Sequence, residues 1–369
     1  EAIMVGDTTV KLPGIGSWIA LAIEQRDIKA VVLAVATMGV VILAYDQLVF
    51  RPIVAWADKF RFEQTAAQQR PQSWLYDLMR RARLINRMSA YLTWATTRLT
   101  LPPTIRIPDS FTRRLSRRPR LGKAGDMLWL ALVLAGAAYA LWSTADYVRA
   151  TLGPADVLKA FGYGFLTLLR VVILIALASV IWVPIGVWIG LRPWAAERAQ
   201  PIAQFLAAFP ANVLFPIAVV GIVSLRLDPD IWLSPLMVLG TQWYILFNVV
   251  AGASAFPTDL REASTMYRLR SWQWWRDVML PGIFPYYVTG ALTASGGSWN
   301  ASIVAEVANW GDTRLEATGL GAYIADATEA GDFPRVVLGI AVMSIFVVTF
   351  NRLVWRPMFG LAERRFRLD

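Results

Sequence analysis

Long apolar runs recur along the chain, separated by short polar stretches, and none shows the strict alternation of a half-buried strand. A hydrocarbon core about 30 Å thick needs roughly 20 apolar residues per helix. Seven stretches meet that length: 28–49, 127–148, 165–191, 201–224, 231–253, 284–305 and 334–355. They predict an all-α polytopic membrane protein with about seven transmembrane helices. Pro184, Pro210, Pro216 and Pro235 lie inside the spans, which bundles tolerate because neighbouring helices re-satisfy the freed backbone groups. The third and fourth spans are the least defined, since Pro201, Pro210 and Pro216 can break a helix there.

The polar stretches alternate in character. One set is 51–125, 192–200, 256–281 and the tail from Arg356; it carries Arg192, Arg198, Arg261, Arg268, Arg270 and Arg276. The other set is 149–164, 225–230 and 307–333. In its last member one Arg stands against Asp312, Glu316, Asp326, Glu329 and Asp332. Cytoplasmic loops carry the excess of Lys and Arg, so the basic set is expected inside, and the chain starts outside and ends inside.

Composition supports lipid as the solvent: hydrophobic residues make up 56% of the 369 and charged residues only 17%, against about 25% charged in soluble domains. The net charge of +10 does not indicate a nucleic-acid partner. Residues 51–125 alone hold 16 Lys/Arg against 4 Asp/Glu, as a cytoplasmic loop would. There is no Cys and no His, which removes disulfides, thiolate nucleophiles, His-based zinc sites and the commonest general base. No Gly-x-x-x-x-Gly-Lys-Ser/Thr run occurs, so no P-loop binds ATP here. An enzyme is not expected, and neither is a bound cofactor or metal.

The chain also repeats itself. Residues 1–57 align without a gap onto 306–362 at an offset of 305, with 21 identical positions. Glu1 falls on Glu306, Gly6-Asp7-Thr8 on Gly311-Asp312-Thr313, Gly14 and Gly16 on Gly319 and Gly321, Asp27 on Asp332, and Arg51-Pro52 on Arg356-Pro357. Matched polar flanks argue for two homologous halves rather than shared composition. The expected organisation is the last outer loop and final helix of a first half (1–50), a basic cytoplasmic linker (51–125) and a complete six-span second half (126–369). Most of the first half is expected upstream of Glu1. Within the linker, Trp74, Leu75, Leu78, Met79, Ile85, Met88 and Leu92 alternate with Arg80, Arg81, Arg83 and Arg87. That is the pattern of a basic amphipathic helix at the inner interface or packed on the bundle. Arg113-Arg114 and Arg117-Arg118 read as a topology anchor.

Between the fifth and sixth spans lies Arg261-Glu262-Ala263-Ser264-Thr265-Met266-Tyr267-Arg268, then Trp272, and finally Val278-Met279-Leu280-Pro281. This resembles the cytoplasmic signature of binding-protein-dependent ABC importer permeases: Glu-Ala-Ala, three residues, Gly, nine residues, Ile, one residue, Leu-Pro. Glu262, Ala263, Leu280 and Pro281 match, Ser264 and Val278 are close substitutes, and Arg268 stands where the family has Gly. Either the turn avoids positive φ, or the loop is atypical and grips its partner less well than its counterpart. The text from Pro281 to Trp299, Phe209-Pro210-Ala211-Asn212 and Gly-Leu-Gly at 319–321 is similar to the nitrate/sulfonate/taurine/bicarbonate group. The resemblance implies a type I importer fold in the bacterial inner membrane, working by alternating access. It also implies two ATPase subunits carrying ATP and Mg, an external solute-binding protein, and the other permease half. Glu262, Ala263, Ser264, Arg268, Trp272, Leu280 and Pro281 would couple to the ATPases, with Pro281 ending the loop element. A secondary transporter with parallel repeats is the alternative.

Polar groups within spans default to functional candidates. Gln242, Asn248, Trp299, Asn300 and Glu306, with its repeat mate Glu1, are the candidates for a translocation pathway. Glu306 and Glu1 either gate the outer end or form a salt bridge to an Arg at the outer rim, and Asn248 could simply tie two helices together.

Overall fold

In the computed structural model the described residues are 2–5, 8–11, 13–53, 119–310 and 313–366. Glu1, the amphipathic stretch 71–98 and the Arg113–Arg118 cluster lie outside them.

The chain opens with a hairpin, β1 (Ala2–Val5) and β2 (Thr8–Lys11), followed by helices α1 (Ile15–Glu24) and α2 (Ile28–Tyr45), which runs into a π-turn at Asp46–Phe50. After the undescribed segment come α3 (Pro119–Arg149), α4 (Pro154–Gly190) and α5 (Pro193–Ala208). Next are a 3-10 turn at Ala211–Leu214, α6 (Phe215–Ser224), the short α7 (Pro229–Trp232) and α8 (Leu236–Leu239), and α9 (Trp243–Ser254). The loop helices α10 (Thr258–Met266) and α11 (Ser271–Trp274) lead through a π-turn at Trp275–Met279 into α12 (Leu280–Ala305). The chain closes with hairpin β3 (Val307–Trp310) and β4 (Thr313–Glu316), then α13 (Leu320–Glu329), α14 (Phe333–Phe350), a third π-turn at Asn351–Trp355, and α15 (Arg356–Arg365).

Helices occupy all seven expected spans. Among the described residues, four are long and apolar enough to cross a bilayer alone, or six if each of two bent pairs counts as one span. The bends are 78° between α5 and the 211–224 segment and 45° between the 229–239 segment and α9. The first falls at Phe209-Pro210, where Pro cannot continue the helix and its predecessor is forced to extended backbone; Phe209 has ψ 125. Pro201 is accommodated inside α5. The third span is longer than expected: α4 begins at Pro154, so most of the stretch 149–164 is helix rather than loop. At about 1.5 Å per residue its 37 residues run to roughly 55 Å, well beyond the hydrocarbon core. Counting about 20 residues back from its C-terminal end at Gly190 places Arg170 at the opposite boundary of a hydrocarbon core.

α12 is not among the apolar spans, because Gly, Ser, Thr and Asn fill it, yet it is the centre of the core. It packs against α9, α4, α8 and α13. Small residues allow that approach: a Cβ at Gly290 would lie 2.7 Å from the Tyr244 carbonyl oxygen and 3.1 Å from Ile245 Cα. Likewise a Cβ at Gly190 would lie 2.6 Å from the Val250 carbonyl of α9. Close backbone contact and hydrogen bonds, rather than the hydrophobic effect, hold helices together in lipid.

The offset of 305 extends to the backbone. β1, β2, α1, α2 and the first π-turn begin and end at positions that map onto β3, β4, α13, α14 and the third π-turn. The hairpins share their register, Ala2 opposite Lys11 and Val307 opposite Glu316. α1 and α13 both end in the same turn, with the next residue at positive φ: Arg26 at 54 and Gly331 at 68. α1 touches β3 and, reciprocally, α13 touches β1, the mutual contact of a two-fold arrangement.

Gly290→Leu is expected to push α9 and α12 apart, because the obstructing atoms are backbone. The cost should be about 1–3 kcal/mol or more, read as a lower unfolding temperature in detergent. Gly221→Leu, where nothing lies within 4 Å of a Cβ, should be near neutral.

Candidate functional site

At the C-terminal end of α12 the carboxylate of Glu306 is 1% exposed and fully engaged. Its Oε1 accepts from Thr167 Oγ1 at 2.8 Å and from Arg170 Nη1 at 3.2 Å. Its Oε2 accepts the backbone N–H groups of Gly321 at 2.7 Å and Ala322 at 3.1 Å. Leu320 N–H donates to Thr167 Oγ1 at 2.9 Å. Three of the free N–H groups that open α13 are thus satisfied by side chains from α4 and from the end of α12, and the negative charge sits where the helix dipole favours it. Arg170 also donates to the Thr318 carbonyl and to Asp230 Oδ1, both at 2.9 Å, and Asp230 Oδ1 accepts from Thr318 N–H at 2.6 Å. The Gly-Leu-Gly motif follows from this packing: a side chain at Gly319 would collide with the Glu306 carboxylate, and one at Gly321 with the Ser302 carbonyl. Glu306 thus forms a salt bridge to an Arg, Arg170 of α4.

Sequence reasoning did not name Thr167, Arg170 or Asp230. The available signal was Arg170 itself, a charge within an apolar span. Nearby, Arg314 on β4 bridges Asp326 and Glu329 of α13. Burial and then the adjacent Asp326 carboxylate push the Glu316 carboxyl up.

The other pathway candidates separate onto different faces. Trp299 is buried and stacked on Phe346 at 6.3 Å between ring centroids, so it belongs to the core rather than to a pathway surface. Asn300, one residue on, is exposed. Tyr286, Thr289, Thr293 and Gly296 share that exposed face at helical spacing, making one polar stripe along α12. Gln242 lies at the α8–α9 bend, accepts from Trp182 Nε1 at 2.8 Å and donates to the Leu239 carbonyl at 3.1 Å. Asn248 donates to the Tyr244 carbonyl one turn back at 2.8 Å, which ties its own helix. Thr241 and Ser298, 2.9 Å apart, join the α8–α9 bend to α12.

On the basic side, α10 carries Glu262 exposed, Ala263 half-buried and Ser264 buried, with Ser264 Oγ donating to the Arg261 carbonyl at 2.7 Å. The helix ends with Arg268 N–H on the Thr265 carbonyl and Leu269 N–H on the Ser264 carbonyl, at 3.0 Å each. This is a Schellman turn, which requires the left-handed region at its penultimate position. Arg268 supplies it at φ 53. The turn therefore does not avoid positive φ; the Gly geometry is kept with a Cβ in place. Met266, Tyr267 and Trp272 project from the loop, all strongly exposed. Pro281 does not end the element: it lies just after the π-turn at Trp275–Met279, and helix is continuous from Ser271 through that turn to Ala305.

Residues 182–356 match the family described as binding-protein-dependent transport system inner membrane component. The chain is 25% identical to the nitrate import permease protein NrtB of Synechocystis sp. over 190 residues, which is 52% of this chain and 66% of that protein. To NrtB of Leptolyngbya laminosa it is 27% identical over 190 residues, 51% and 64% of the two chains. To the bicarbonate transport system permease protein CmpB of Synechocystis sp. it is 26% identical over 165 residues, 45% and 56%. The chain thus spans just under two thirds of the length of the nitrate relatives it matches.

Two outcomes test the geometry. Glu306→Ala leaves the Gly321 and Ala322 N–H groups without their acceptor, while Arg170 keeps Asp230 and the Thr318 carbonyl, and should cost about 1–3 kcal/mol per orphaned N–H; Glu306→Gln keeps one acceptor and should cost less, both measured by thermal unfolding. Arg268→Gly removes the left-handed strain and should stabilise the turn by about 1 kcal/mol, seen as slower amide exchange at Leu269.

Proposed function

We propose, on the premise that residues 182–356 belong to the inner membrane components of binding-protein-dependent transport systems, that this chain is a membrane-spanning permease of an ATP-driven importer. Its solute is a small anion of the nitrate or bicarbonate kind, delivered by an external solute-binding protein and released to the cytoplasm by alternating access. The observation that carries the reading is the loop between α9 and α12. A short helix with small residues on its inner face presents Glu262, Met266, Tyr267 and Trp272 outward on the Arg-rich side. Two ATPase subunits, holding ATP and Mg, would seat this loop and its counterpart on a second permease half.

The relatives named for nitrate and bicarbonate support the anion class. The Glu306 carboxylate is compatible with it, because it is buried and paired with Arg170 and so is not presented to an anion. Asn300, Thr289 and Thr293 are the polar groups proposed to line the passage, since a stripe of this polarity is poorly suited to lipid. A passage between halves also gives the α12 stripe water rather than hydrocarbon as its neighbour. A secondary transporter with parallel repeats accounts for the repeat but leaves the exposed loop without a role.

The test is capture of an ATPase subunit from detergent-solubilised membranes, with solute-stimulated ATP hydrolysis in liposomes. Glu262→Arg should abolish the stimulation while leaving the unfolding temperature unchanged. Uptake driven by an ion gradient with no ATPase bound would overturn the reading in favour of the secondary transporter.

A further inference from the structure

The two copies of the repeat have the same backbone but bury different faces, and two faces left open on one copy are covered on the other. In the second copy, Leu338 and Val342 of α14 are 5% and 1% exposed. Val342 and Phe346 pack on Gly164 of α4, whose missing Cβ makes room for them. The equivalent positions of the first copy are Leu33, 61% exposed, and Thr37, also exposed. In the first copy, α1 and α2 bury a neighbouring face. Ile19 and Ala34, with Ile15, Ile23, Val35 and Met38, pack on Phe209 and Val213, and Gly39 lies against the Phe205 ring at 3.5 Å from its absent Cβ. The second-copy positions that map onto Val35 and Gly39 are Ile340, 51% exposed, and Ser344, exposed. A third position is open in both: Val40 and Ile345 are each at least half exposed.

Lipid alone does not account for this pattern. A face that the bilayer solvates should be open in both copies, as at Val40 and Ile345. A face packed in one copy and open in the other marks a partner present once where symmetry needs it twice. We propose that Leu33/Thr37 and Ile340/Ser344 are the two contact surfaces for a second permease half homologous to residues 154–305. That half would bring a Gly164-like helix to the first surface and a Phe205/Phe209/Val213-like segment to the second. The reciprocal contacts of α1 with β3 and α13 with β1 already fix the two-fold relation that such a half would complete. A second copy of this chain cannot fill the role, because its Phe205–Val213 segment is occupied by its own α1 and α2 and its Gly164 by its own α14. The inference deepens the permease reading and rests on it for the nature of the partner.

With no Cys among the 369 residues, Ser344→Cys, Thr37→Cys and Ile345→Cys each introduce the chain's only thiol. A photoactivatable maleimide can then be attached after folding, in the intact complex in native membranes, and its adducts identified by mass spectrometry. From 344 the adducts should fall on protein resembling 205–213, and from 37 on protein resembling the Gly164 region of α4. From 345 they should fall on lipid. Lipid adducts at 344 and 37, or adducts on residues 54–149 of this chain, would overturn the assignment. If an ATPase subunit co-purifies in that case, the permease reading stands and only the surface assignment fails.

Discussion

The buried carboxylate of Glu306 is the constraint on which the outer end of the structure depends. An ion removed from water must be matched by charge and by hydrogen bonds or it destabilises the fold. Here the match comes from Thr167 and Arg170 on α4 and from the first turn of α13, with Arg170 in turn held by Asp230 of α7. Satisfying one carboxylate therefore fixes where α4 crosses α12, where helix α13 starts, and why residues 319 and 321 are Gly. The arrangement also solves the end problem of α13, whose N-terminal N–H groups receive distant side chains instead of a local cap.

Elsewhere the bundle meets the same requirement more cheaply. α12 is too polar to stand alone in hydrocarbon, and its polarity is divided between two faces. Ser295, Ser298 and Ser302 are buried; Ser298 pairs with Thr241, and Ser302 Oγ donates to the Trp299 carbonyl. Gly290 permits backbone approach, and Gly297 makes room for the Thr241 side chain. The opposite face keeps Thr289, Thr293 and Asn300 open. The Thr hydroxyls are spent on carbonyls one turn back, which lowers the cost of that face without hiding it.

Much of this was legible in the sequence, and what was not had definite physical reasons. The helical spans and the repeat announce themselves through apolar length and matched polar flanks. Glu306 stood out as a charge at the end of a span, but its partners lie 136 and more residues away on α4, a distance that no local pattern bridges. Trp299 and Asn300 looked alike as polar groups in one span. Adjacent residues on a helix point about 100° apart, so one enters the core and the other leaves it. Arg268 looked incompatible with a Gly turn, yet two hydrogen bonds of the Schellman motif hold it there at a cost of about 1 kcal/mol. Arg26 and Arg226 adopt the same conformation, so the substitution is a habit of this chain rather than a defect of one loop.

Continuity of the helix from Ser271 to Ala305 connects the two ends of the molecule. Its inner end is the loop that carries Glu262 and Tyr267, anchored where Phe256 covers Gly282. Its outer end is Glu306. At about 1.5 Å per residue the 26 residues of α12 make a rod of roughly 39 Å, with its polar stripe between. In the proposed permease, a push on the loop would reach the outer network through one packed element, without a chain of intermediaries. The π-turn at Trp275–Met279 is the place where the rod is least regular, and it lies at the loop end. The outer end, by contrast, is held by four hydrogen bonds to a single carboxylate. A soft joint at the driven end and a stiff one at the far end would let the loop re-seat on its partner while α4, α12 and α13 tilt together as one body.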